Sequence, residues 1–283
     1  MISREPTVAA ARFRDVINRP DEEIDLAEAA LLIAKNHHAD LDVERYLARI
    51  GALASELAGR LPDSPSETER IRALNRFLFE EQGFAPNVDN YYDPRNNFLN
   101  EVLERRLGIP ISLSILYIEI GRRIGLALTG VSFPGHFLVK CKLKEGTVVL
   151  DPYCSGKSLS LHDLQQRLRE VRGGEVSRAI LAGLLVSANK KEILARMLRN
   201  LKVTYLEQRD RDRALSVMEW IITLSPADAS EVRDRGLLYR ELECFRAALE
   251  DLERYLDLAP AADDAEQIRD YVIELQRTVV RLN

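Results

Sequence analysis

Four residue pairs in the last third of this 283-residue chain recur at one spacing: Tyr205 and Tyr239, Ala214 and Ala248, Leu224 and Leu258, Pro226 and Pro260 are each 34 positions apart. A fixed period of that size constrains the fold more than composition does, because it calls for one supersecondary unit built twice and stacked on itself. Leu198, Leu201 and Tyr205, then Ala214 and Met218, follow helical spacing and predict two helices per unit. Small residues at 214 and 248 let the paired helices approach, and the prolines end each second helix. Two such units bury little apolar surface alone, so the segment from Ala265 to Leu282 is expected to cap them and the preceding domain to cover their other end.

Thirty-four residues is the tetratricopeptide period. The repeats are placed at about 195–228 and 229–262, in an all-α module over 181–283. A first domain is expected over 1–180, since 283 residues exceed the usual size of one domain. Hydrophobic residues at 46% and charged residues at 30% supply enough apolar surface to fold both.

The first domain opens with helical patterns. Ile24, Leu26, Ala27, Ala30, Leu31 and Ala34 recur with helical spacing, and Leu41 to Leu57 continue it beyond His37-His38-Ala39-Asp40. Those adjacent histidines read as a solvated connector, with no Cys or Glu cluster to complete a metal site. Ser66 and Glu69 stand at capping-box spacing ahead of a helix that Gly83 ends. Residues 84–97, with Tyr91-Tyr92 and several Asn, Asp and Pro, favour turns and an exposed, ordered loop that could wall a groove. Pro110 suits the first position of a buried helix. Strand patterns follow over 126–133, over 136–143 with His136 at the start, and over 147–150, with Asp151 at the end.

Gly108-Ile109-Pro110 at a helix start, His136 at a strand start and Asp151 at the next strand's end together resemble the papain-related transglutaminase-like core. That resemblance implies an α+β fold with helices packed on an antiparallel sheet, its core at about 66–160. It also implies a Cys, His and Asp in this order, in which a thiolate is activated by an imidazole that a carboxylate orients. The Cys position falls on Pro110, which has no nucleophilic group. Segments 96–103, 108–113 and 130–138 resemble more narrowly the bacterial SirB family, which joins a transglutaminase-like domain to tetratricopeptide repeats and carries the proline in its own pattern.

His136 and Asp151 are thus candidate catalytic or vestigial residues, and Tyr92, Asn96, Asn97 and Ser112 are candidates for lining a cleft. Ser112, Ser114 and Cys154 are the conceivable substitute nucleophiles, each with helix packing or simple burial as its plainer explanation. The expected function is a non-catalytic binding, scaffold or regulatory module that engages a protein or peptide through the repeats and a vestigial cleft. The alternative is a hydrolase or acyl transferase on amide bonds that uses His136 and Asp151 with a nonstandard nucleophile or an activated water.

No phosphate loop, HExxH or paired CxxC occurs, so neither a cofactor nor a metal is expected. A net charge of −5 offers no basic field for nucleic acid. No apolar run reaches the ~20 residues that span a bilayer, and residues 1–20 have no uninterrupted apolar leader. Three cysteines are too few for a disulfide framework and fit a reducing, cytoplasmic setting. Oligomeric state is left open.

Overall fold

A computed structural model describes residues 8–174 and 177–282. Residues 1–7, the start of the segment read for a leader, lie outside it. The chain divides into two compact units, Met1–Met197 and Leu198–Asn283. The division falls further along than residue 180, inside a helix.

In the first unit, α1 (Val8–Ile17), α2 (Leu26–His37) and α3 (Val43–Ala58) form a helical layer. Residues 29–34 of α2 are buried all round, which their small Ala positions permit. α4 (Glu67–Asn75) begins with the expected capping box: the Ser66 N–H donates to the Glu69 carboxylate at 2.8 Å, and the Glu69 N–H donates to Ser66 Oγ at 3.3 Å. It runs on as a π-helical turn to Glu81, and Gly83 follows at φ 72°. β1 (Ala85–Pro86) pairs in parallel with β2 (Leu107–Gly108), with α5 (Leu99–Arg105) between them.

α6 (Pro110–Arg123) follows β2 directly, and every residue from 110 to 121 is buried. It packs on α2, α3, α4 and α5, and on the strands β3 (Leu128–Val131) and β4 (Leu138–Leu143). Those strands continue through β5 (Gly146–Asp151) into β6 (Lys157–Leu159), an antiparallel sheet in sequence order. Leu138, Val149 and Leu159 on one face meet Leu164 and Leu168 of α7 (Leu161–Arg172) and Leu181 of α8 (Arg178–Leu184). Val139 and Cys141 alternate onto the other face, where Cys141 lies near Tyr117 of α6.

Two local expectations are corrected. The 84–97 loop is not simply exposed, because Asn87, Asp93, Asn96 and Asn97 are buried; its polar side chains turn inward to satisfy the loop's own backbone. His37 and His38 are not solvated either, since their rings lie 5.0 and 5.2 Å from that of Phe98, which leads into α5.

In the second unit, α9 (Lys190–Glu207), which spans the division, is followed by α10 (Arg211–Leu224), where Arg213 lies over the Tyr205 ring, and α11 (Ala229–Glu241) pairs with α12 (Phe245–Leu258). α13 (Ala265–Arg281) follows against α12. Ala214 and Ala248 are fully buried, and a Cβ on Gly236 would come within 2.8 Å of Leu252 Cδ2. Polar ties add to the stacking. Arg199 reaches Asp228 and Glu231, both at 2.8 Å, and Lys202 reaches Glu231 at 2.7 Å.

Candidate functional site

The site is assembled at the foot of α6. Pro110 holds its first helical position, where a missing N–H costs nothing. Ser112 Oγ donates to the Asn96 carbonyl at 2.6 Å and accepts from the Ile109 N–H at 3.1 Å, which fastens the helix start to the preceding loop. That loop is itself braced: Asn96 Nδ2 donates to the carbonyls of Asn90 (2.8 Å) and Tyr91 (3.1 Å), and Asn87 Nδ2 donates to Asn96 Oδ1 at 2.9 Å.

His136 does not open a strand. It closes the turn after Pro134-Gly135, with its N–H on the Phe133 carbonyl at 3.0 Å and Gly135 at φ 68°, and β4 starts at Leu138. The Pro-Gly pair makes the turn and delays the strand. Asp151 ends β5 as expected and is fully buried. Its Oδ1 accepts from His136 Nε2 at 2.9 Å and from the backbone N–H groups of Tyr153 (3.0 Å) and Cys154 (3.3 Å). An ionised carboxylate only accepts, so His136 Nε2 carries the hydrogen. Oδ2 has no aligned hydrogen bond, but forms an ion pair with Arg167 Nη1 of α7 at 2.6 Å. Burial alone would push the Asp151 carboxyl up; His136 and Arg167 outweigh it and hold it at about 2.

The loop beyond Asp151 is locked. A Cβ on Gly156, at φ 72°, would lie 2.0 Å from Asn75 Oδ1, so only glycine fits there. Asn75 Nδ2 donates to the Gly156 carbonyl at 3.0 Å, while its Oδ1 accepts from Tyr117 OH at 2.8 Å.

The sequence candidates separate. His136 and Asp151 meet. Of the four cleft candidates, Asn96, Asn97 and Ser112 are buried and only Tyr92 is exposed. Its ring stands edge-on to Tyr91 at 5.3 Å, Tyr91 lies within electrostatic reach of Tyr153, and Tyr153 stands edge-on to His136 at 5.7 Å. His136 makes no hydrogen bond to Ser112, Ser114 or Cys154 among the described residues. Ser114 is buried with its Oγ unpartnered. Cys154 is exposed rather than simply buried; the desolvation its thiol still meets and the Asp151 carboxylate push it up against the pull of Arg167, which disfavours the thiolate a nucleophile needs.

Arg167, Tyr153 and Asn75 escaped the sequence reading. The i, i+4 pair Leu164 and Leu168 shows which face of α7 is buried, but nothing in sequence says that the arginine beside it reaches a strand end. Among the described residues, no three His, Cys, Asp or Glu side chains converge as a metal site needs, and no helix is long and apolar enough to cross a membrane.

Comparison with known proteins agrees with this architecture. The transglutaminase-like superfamily profile matches residues 44–199, and a tetratricopeptide-repeat profile matches residues 201–272. The chain is 41% identical to a UPF0162 protein of Xylella fastidiosa, over 90% of this chain and 91% of the relative. It is 32% identical to a UPF0162 protein of Vibrio cholerae, over 91% and 96%. It is 31% identical to Protein SirB1 of Salmonella typhimurium, over 79% and 81%.

Proposed function

The chain belongs to the bacterial SirB1 and UPF0162 family, a transglutaminase-like domain joined to tetratricopeptide repeats, and from that premise we propose that it is a non-catalytic protein-binding module. The observation that carries this reading is Pro110 at the helix start where the wider superfamily places a cysteine. Proline supplies neither nucleophile nor proton, so the acyl-transfer route through a thiolate is closed at that position. The pairing of His136 with Asp151 then acts as a polar anchor. It ties the turn before β4 to the end of β5, and through Arg167 it ties both to α7. Partner binding falls to the repeats, whose stacked helices offer an extended surface for a peptide.

In this reading the protein works in the cytoplasm, since Cys141, Cys154 and Cys244 are all free. It binds neither nucleic acid nor membrane.

One observation favours the enzymatic alternative: the His136 to Asp151 hydrogen bond is intact, with Nδ1 of the ring unpartnered among the described residues. The test is turnover of a panel of amide, ester and peptide substrates by the wild type and by His136→Ala. No turnover by either is expected. Turnover by the wild type that His136→Ala abolishes would establish the hydrolase or acyl-transferase reading instead.

A further inference from the structure

The 34-residue pattern breaks where each repeat meets the helix that follows it. Between α9, α10 and α11 lies a groove of about 310 Å³, floored by Leu206, Met218, Leu237 and Leu238. The positions 34 residues on from Leu206, Arg211 and Leu237 are Arg240, Phe245 and Tyr271. There Arg240 stacks 4.0 Å from the Tyr271 ring centroid, and Phe245 and Tyr271 pack against the apolar core of the unit. Bulky side chains thus stand where the second repeat meets α13, at positions where the junction of the first repeat with the second has an open, apolar-floored groove.

Charge marks the open groove as well. Arg211 lies 3.5 Å from Glu241, and Asp234 is held by Lys202 and Arg233, both at 3.0 Å. The guanidinium of Arg209, also on the rim, has no ion pair or hydrogen bond among the described residues. Its backbone is fixed: Arg209 takes a left-handed φ of 59°, with its N–H on the Leu206 carbonyl at 3.0 Å and the next N–H, that of Asp210, on the Tyr205 carbonyl at 2.8 Å. Glycine is the usual residue at such a turn. The matching residue of the second repeat, Glu243, is also left-handed at φ 58° but carries the opposite charge.

We propose that this groove is a receptor for a short peptide segment of a partner protein, one carrying an acidic side chain within a few residues of a large apolar one. The apolar side chain fills the Leu206, Met218 and Leu237 floor, and the carboxylate meets Arg209. The volume suits side chains rather than a folded surface, and the rim leaves one positive charge unmatched, so electrostatic complementarity selects an acidic rather than a basic segment. The inference rests on the reading of the repeats as protein-binding and adds to it the place and the chemistry.

The test is a selection of random twelve-residue displayed peptides on the full-length chain, followed by affinities of the enriched peptides, made synthetically, by fluorescence anisotropy. Enriched sequences should pair Asp or Glu with Leu, Ile, Met or Phe. Arg209→Glu should weaken them at least tenfold, and a Glu→Lys version of the peptide should recover binding on that variant. The double variant Arg211→Phe with Leu237→Tyr, which copies the second repeat, should abolish binding while circular dichroism shows the helices retained. Enriched peptides that bind all variants equally would overturn the groove assignment and leave repeat-mediated binding standing. A selection that enriches nothing overturns the receptor, and only His136-dependent turnover would then overturn the non-catalytic reading with it.

Discussion

The two polar sites of this molecule are built on opposite terms. At the end of β5 the carboxylate of Asp151 is fully buried and ringed by His136, Arg167 and two backbone N–H groups. In the groove of the repeat region the guanidinium of Arg209 has no partner among the described residues, and Arg209 shares the lining with Leu206, Met218, Leu237 and Leu238. A buried charge whose neighbours are all drawn from the same chain holds a fold together; a charge left unmatched beside an apolar surface is free to meet another molecule. On the proposed function, the site that resembles a catalytic frame is the anchored one and the repeat region is the receptive one.

The largest effect that could break this contrast is at Asp151. Replacing it with alanine leaves Arg167 charged and two N–H groups without their acceptor, and should cost about 3–5 kcal/mol in urea-induced unfolding. A loss below about 1 kcal/mol would mean that the carboxylate is not an anchor.

A smaller effect follows from acid. The Asp151 carboxyl is depressed from its ordinary 3.8 to about 2 in the folded chain. Its stabilising contribution is therefore fully present above about pH 4 and is lost as pH falls through 4 towards 2, in all about 2 kcal/mol. The stability gap between wild type and Asp151→Asn, measured by urea midpoints, should narrow over that interval. A gap that stays the same down to pH 2 would remove His136 and Arg167 as the cause.

The smallest effect has the opposite sign. Arg209→Gly relieves a left-handed backbone that costs an L-residue about 1 kcal/mol, so the variant should be as stable as wild type or up to about 1 kcal/mol more stable, while losing affinity for acidic peptides. Destabilisation by more than about 1 kcal/mol would turn Arg209 into a second structural anchor and erase the difference between the sites.

Much of this was legible in the sequence, for local reasons. The 34-residue spacing of Tyr205, Ala214, Leu224 and Pro226 with their counterparts marks the helix pairs, and Ser66 with Glu69 marks the start of α4 to the residue. Asp151 at a strand end and Pro110 at a helix start needed only neighbours along the chain. What the sequence hid depends on residues far apart in it. Asn96 and Ser112 look like polar surface until the loop folds onto the helix start and both become buried. Arg167 meets Asp151 only once α7 lies across the sheet. The open groove is visible in sequence solely as differences at 34-residue spacing, Arg211 against Phe245 and Leu237 against Tyr271 of α13, and these gain meaning only when the helices are stacked.

The Asn75 tie carries a kinetic consequence. Its side chain reaches the carbonyl of Gly156, 81 positions away, and the hydroxyl of Tyr117, 42 positions away. Closing loops of that length is slow compared with forming the β4 to β5 hairpin or any single helix. The tie can therefore form only after α4, α6 and the sheet have docked, which makes the segment from Asp151 to Gly156 one of the last parts of the first unit to lock. In a chain made from its N-terminus, the residues that most resemble an active site would be among the latest to find their places.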